Sequence, residues 1–140
     1  METQPVASKN NQADYVKAHG RRKEATARIR LHKGKGQNLV NDKPMEDYFR
    51  GEVAGRRLSK VFEITKTEGK FYATIKVKGS GKNSQLEAVI HGLARALATQ
   101  EGLRPVVKKA GMLTRDARVK ERRKYGRAQK ARKGKQSPKR

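Results

Sequence analysis

The residues best suited to chemistry are Gly79-Ser80-Gly81-Lys82-Asn83-Ser84, a glycine-rich run carrying a lysine. Such a run can cradle a phosphate on its backbone N–H groups. A nucleotide-binding phosphate loop also needs Gly five residues ahead of the Gly of Gly-Lys, and Ser or Thr directly after the Lys. Lys76 and Asn83 hold those two places, so the motif fails twice. A dinucleotide fingerprint fails as well, because no third Gly follows at its spacing. Two readings remain: Lys82 and the loop amides meet an RNA phosphate at a helix N-terminus, or the loop is a tight connection.

Other catalytic chemistry finds little support. His19, His32 and His91 show no metal-ligand spacing. The chain has no Cys, which excludes disulfides, thiolate metal sites and a thiol nucleophile. Its few carboxylates stand among cations, which lower their pKa and make them poor general acids. The adjacent pair Glu46-Asp47 cannot share a site on a helix, since sequence neighbours do not face each other there. The chain reads as no enzyme, with no metal, no cofactor and no small-molecule substrate.

The dominant signal is charge. The 140 residues hold 36 Lys and Arg against 13 Asp and Glu, a formal net charge of +23. A charge this high repels itself in water unless a dense counter-charge is present, and phosphate backbones are the commonest one. Anionic membranes are the alternative. No Cys is available for lipidation, Glu2 follows Met1, and no apolar run approaches the ~20 residues that span a bilayer. Met1–His19 has neither an apolar run nor Arg, so no export or mitochondrial signal is expected and the cytoplasm is.

The charge is unevenly spread. Residues 1–19 balance two Lys against Glu2 and Asp14, and read as a disordered extension. Residues 115–140 hold 13 of the 36 basic residues and two of the 13 acidic ones. Val119, Ala128 and Ala131 are too sparse to bury anything, so this tail is expected to be coreless and disordered when free. Its 26 residues, fully extended, would reach about 85 Å at ~3.3 Å each. Tyr125, between Lys124 and Gly126, is placed to stack on a base or is incidental.

Residues 20–114 must therefore form the body. Ala25, Ala27, Ile29 and Leu31 alternate with Thr26, Arg28, Arg30 and His32, as in a strand with one buried face. Gly20-Arg21-Arg22-Lys23 precedes it. Lys33–Gly36 is a glycine-rich turn, and Asn38–Asn41 reads as the return strand of a hairpin. Pro44 opens a short helix through about Phe49, with Tyr48 and Phe49 packing on the body. Glu52–Lys60 is a second short helix, and Val61–Lys66 reads as a strand. Phe71, Ala73, Ile75 and Val77 mark the cleanest strand. Leu86, Val89, Ile90, Leu93, Ala94 and Leu97 form one stripe on a helix over roughly Asn83–Gln100. Gly102 stops it, and Pro105 opens a short helix closed by Gly111. These elements predict an α+β layer pair with about four strands.

Several runs carry a resemblance. Gly20-Arg21-Arg22-Lys23-Glu24-Ala25-Thr26-Ala27-Arg28, then Gly34-Lys35-Gly36 and Val40-Asn41, resemble the opening of small-subunit ribosomal protein nine, bacterial type. Glu68–Phe71, His91–Leu97, Leu103-Arg104-Pro105, Lys108–Asp116, Glu121–Gly126 and Lys139-Arg140 continue the match over about residues 20–140. The resemblance implies a two-layer α+β sandwich: a four-stranded mixed sheet with helices on one face, like the second domain of ribosomal protein five, with a left-handed βαβ crossover. It implies a place in the head of the small subunit, on small-subunit ribosomal RNA and among other head proteins. It also implies a C-terminal tail whose last residues, Lys139 and Arg140, reach peptidyl-site tRNA. Pro138 departs from the family's Ser-Lys-Arg ending and restricts Ser137. Ser80 stands where the family often has Gly.

Charge and resemblance together single out the RNA contacts. In the body these are Arg21, Arg22, Lys23, Arg28, Lys82, Lys108 and Lys109. In the tail they are Arg115, Arg118, Arg122, Arg123, Lys124, Tyr125, Arg127, Lys130, Arg132 and Lys133.

Overall fold

The alternation of Ala25, Ala27, Ile29 and Leu31 with polar residues does set the sheet. In a computed structural model, which describes residues 14–127 and 129–132, these four side chains are buried on one face of β2 (Ala25–Lys33). Antiparallel neighbours flank it on both sides: β1 (Tyr15–Arg22) and β5 (Phe71–Lys78). Two short strands, β3 (Leu39–Val40) and β4 (Lys43–Pro44), complete a mixed five-stranded sheet in the order β1-β2-β5-β3-β4.

Three expectations are corrected. The compositional boundary after His19 falls inside β1, so residues 15–19 belong to the sheet and Gly20-Arg21-Arg22 ends a strand rather than preceding the first one. Asn38–Asn41 is not the return strand of a hairpin with β2; β3 runs parallel to β5. Asparagine side chains lengthen that pairing. The Asn38 Oδ1 accepts from the Ala73 N–H at 2.9 Å, and Asn41 exchanges bonds of 2.9 and 3.1 Å with the Val77 backbone. Asn41 and Asp42, both at positive φ (49° and 65°), form the two-residue turn into β4.

The third correction concerns Val61–Lys66, which is the end of a helix and not a strand. After α1 (Met45–Tyr48), α2 runs from Glu52 to Thr65. Leu58, Val61, Phe62 and Thr65 are buried at helical spacing. β-branched residues suggested a strand locally, but Val61 and Thr65 share one helical face with Leu58, and burial of that face overrides local propensity. The sheet therefore has five strands, not four, by the addition of β1 and β4 and the loss of this one.

Helix α3 (Lys82–Ala98) lies across β1 and β2, with α2 beside it and the short α4 (Arg104–Lys109) against both helices. Two glycines set its distance from the sheet. A Cβ on Gly20 would stand 1.9 Å from the Ala88 carbonyl oxygen, and one on Gly92 would stand 2.4 Å from Ile29 Cδ1. The helices cover one face of the sheet, and Ile29, Leu31, Ile75, Leu93 and Leu97 fill the core between the layers. Among the described residues, no helix covers the other face of the sheet.

Candidate nucleic-acid interface

Register decides which side chains share the open face. Tyr15, Lys17, His19 and Arg21 of β1 stand opposite His32, Arg30, Arg28 and Thr26 of β2, and these stand opposite Tyr72, Thr74, Lys76 and Lys78 of β5. None of these positions is Asp or Glu. Lys17, Arg21, Arg28, Arg30, Lys76 and Lys78 are all exposed. None of the six is paired with a carboxylate among the described residues.

An aromatic row closes one end of this face. His32 stacks on Tyr72 at 4.8 Å between ring centroids, and Tyr15 tilts against His32 at 5.4 Å. Arg30 lies 5.3 Å and Lys17 5.6 Å from the centre of the Tyr15 ring. Each cation is held by the ring's electron-rich face while its charge remains exposed.

Arg21 and Arg28, expected as RNA contacts, lie on this face. Arg30, Lys76, Lys78 and Lys17 share it and were not singled out, because in sequence they are the polar half of an ordinary strand alternation. Only strand register gathers them. Lys23 sits at positive φ (51°) in the exposed β1–β2 turn.

Arg22 lies elsewhere. One residue beyond Arg21 on a strand, it points to the opposite side. Its side chain is 11% exposed, with Nε 2.5 Å from Glu87 and the guanidinium 3.2 Å from Asp116. It also donates to the Arg118 carbonyl at 2.8 Å. Protein partners occupy it, unlike Arg21 and Arg28.

This arginine fixes the start of the tail. The His91 Nε2–H donates to the Leu113 carbonyl at 3.3 Å, immediately before it. Burial lowers the His91 pKa against the raising effect of that bond, and Arg95 and Arg115 lower it further. The ring is therefore neutral at pH 7, and its buried Nδ1 has no partner among the described residues. Bonds from the Arg118 side chain and amide, with Arg22 nearby, hold the Asp116 carboxyl well below the usual carboxylate range. Both residues serve structure rather than acid–base chemistry.

The described tail residues, 115–127 and 129–132, contain no helix or strand. They do not run straight, however. The Lys124 N–H donates to the Lys130 carbonyl at 3.2 Å, Lys124 Nζ to the Ala131 carbonyl at 2.8 Å, and Arg132 pairs with Glu121 at 2.7 Å. The loop so formed presents a fully exposed Tyr125 beside a hollow of about 380 Å³ lined by Arg123, Lys124, Gly126 and Gln129. Arg115, Arg122, Arg123, Arg127 and Lys130 are exposed, and Arg118 is exposed though paired with Asp116. Lys133, Lys139, Arg140 and Pro138 lie outside the described residues, as do residues 1–13.

The glycine-rich loop resolves in part. Ser80 accepts a left-handed backbone (φ 52°), and Gly79 is required because a Cβ there would meet the Glu24 carbonyl oxygen at 2.5 Å. The Gln85 side chain donates to the Gly79 carbonyl at 3.0 Å. Lys82 opens α3 with its ammonium 3.2 Å from the centre of the Tyr48 ring, whose hydroxyl bonds Gln85. Lys108 and Lys109 are exposed at the end of α4. No cluster of potential metal ligands occurs among the described residues, and no helix there is long and apolar enough to cross a membrane.

Comparison with known proteins extends these observations. Residues 20–140 match the family described as ribosomal protein S9/S16. Small ribosomal subunit protein uS9 of Solidesulfovibrio magneticus is 50% identical over 108 residues, covering 76% of this chain and 83% of that protein. The protein of the same name from Maridesulfovibrio salexigens is 47% identical over 114 residues, covering 81% and 88%.

Proposed function

Because the chain belongs to the ribosomal protein S9 family, a family of ribosomal proteins and not of enzymes, we propose that it is a structural constituent of the small ribosomal subunit. It binds small-subunit ribosomal RNA in the head of the subunit, within the cytoplasm, beside other head proteins. The body, which includes residues 15–19 of β1 and runs to about residue 114, docks on RNA. The tail, 115–140, threads onward through RNA, and Lys139 and Arg140 touch the anticodon stem of peptidyl-site tRNA. The β3–α2–β5 crossover is left-handed, as in the second domain of ribosomal protein five.

The observation that carries this reading is the placement of charge. The cations are exposed and largely without carboxylate partners among the described residues, and many lie along a tail fastened to the body at its root. Counterion release from phosphates is the free energy such a surface is suited to use. Most carboxylates near the tail pair with its own arginines, at Asp116 and Glu121, and leave the remaining cations for RNA.

The test is where the protein is found. Co-sedimentation with small subunits through a high-salt cushion supports the proposal. Recovery mainly on duplex DNA sinks it in favour of a free nucleic-acid compactor.

A further inference from the structure

We propose that the body holds a phosphate site of its own, the hollow ringed by Arg21, Arg28, Lys76 and Lys78, which takes successive backbone phosphates of an RNA strand without reading bases. This rests on the RNA-binding reading above and assigns one surface within it.

The hollow arises from register. Thr26 stands between Arg21 and Lys78 in one row across β1, β2 and β5, and Arg28 and Lys76 are partners in the next row. Thr26 is small, so the row dips where the long cations on either side rise. The space enclosed is about 500 Å³, lined by these five residues and Val77. Rows two residues apart on a strand are separated by about 7 Å, and adjacent strands by about 5 Å. That is the scale of neighbouring phosphates on one strand.

The charge is unbalanced. Four cations face a common space, and none is paired with a carboxylate among the described residues. Like charges so placed repel unless an anion sits among them. Two guanidinium forks suit phosphate oxygens bidentately, and two ammoniums add point charge. The Thr26 hydroxyl is the one neutral hydrogen-bonding side chain in the lining. The site can therefore hold phosphate firmly but has little with which to distinguish one base from another.

The test uses the full chain with Arg28→Gln and Lys76→Gln together. Both side chains are exposed, so the melting temperature should not move. Binding to small-subunit ribosomal RNA is measured across salt concentrations. The double variant should show a slope of log affinity on log salt shallower by roughly 0.7 to 0.9 for each lost phosphate contact. Failure of the unaltered chain to bind this RNA would overturn the general reading. An unchanged slope in a folded variant would overturn the hollow alone.

A second arm replaces RNA with inorganic tripolyphosphate at equal phosphate concentration and follows chemical protection of Lys76 and Lys78. Protection by RNA at concentrations where tripolyphosphate gives none supports a strand site. Equal protection by both overturns the assignment to RNA. A defect confined to crosslinks with an acidic neighbouring protein overturns it in favour of a protein contact.

Discussion

The Arg22 guanidinium stands 3.2 Å from the Asp116 carboxylate and thereby joins edge strand β1 to the first residues of the tail. The two residues are 94 positions apart, and the same guanidinium reaches Glu87 on α3. Sheet, helix and tail meet at one side chain. The tail therefore leaves the body in a set direction, although it has no core of its own.

Replacing Arg22 with Met should loosen the tail root, while Asp116 keeps Arg118 at 2.8 Å and Glu87 keeps Arg57 at 3.7 Å. The carboxylates are partly exposed and keep these second cations, so the loss of global folding stability should be small. Amide exchange at residues 113–118 should accelerate more than exchange in β5. Uniform acceleration would contradict a local anchor.

Acid should act in two separate windows. His91 has a folded pKa below its ordinary 6.5, so the fold disfavours its protonated form. Stability from this residue is complete above 6.5 and declines as pH falls below it. Asp116 has a folded pKa depressed below its ordinary 3.8. Its contribution is present above 3.8 and is lost only as pH falls through the lower folded value. A carboxyl-carbon titration should find Asp116 still ionised at pH 3.8, and His91→Gln should remove the stability slope just below pH 6.5. A normal Asp116 titration would contradict the anchor's geometry.

Glycine substitutions should divide by location. Gly92→Ala would press Cβ onto Ile29 Cδ1 and the Gly20 backbone, and should cost about 3 kcal/mol through overpacking. Gly55→Ala lies inside α2 with nothing within 4 Å of the new methyl, and should stabilise by about 0.5 to 1 kcal/mol. Thermal melts of both variants check the pair.

Tyr125→Ala should leave melting unchanged, because the ring is fully exposed. If a base stacks there, RNA affinity should fall by about 1 to 3 kcal/mol. Deleting residues 137–140 should leave subunit assembly intact and speed tRNA loss from the peptidyl site. Unchanged tRNA off-rates would contradict the role proposed for Lys139 and Arg140.

Much of this architecture was legible in sequence where periodicity was long. Leu86 to Leu97 marked α3 within a residue or two, and Phe71 to Val77 marked β5. Gly111, at φ 75°, follows the cap of α4 as expected, whereas α3 ends at Ala98 with Thr99 as its cap, three residues ahead of Gly102. The short helices α1 and α4 were marked by Pro44 and Pro105, but the short strands were not, since two-residue β3 is held by asparagine side chains that carry no periodic signal. β1 was hidden because its outward residues are polar and Gly20 supplies no apolar mark. The same blindness concealed Lys76, Lys78 and Arg30, whose meaning lies in cross-strand pairing.

In the proposed role two surfaces, the open sheet face and the tail, both meet RNA. A photoreactive amino acid placed at Arg30, and separately at Tyr125, in assembled small subunits tests it most directly. Crosslinks from both positions to small-subunit ribosomal RNA are expected. Crosslinks confined to neighbouring proteins at either position would contradict it.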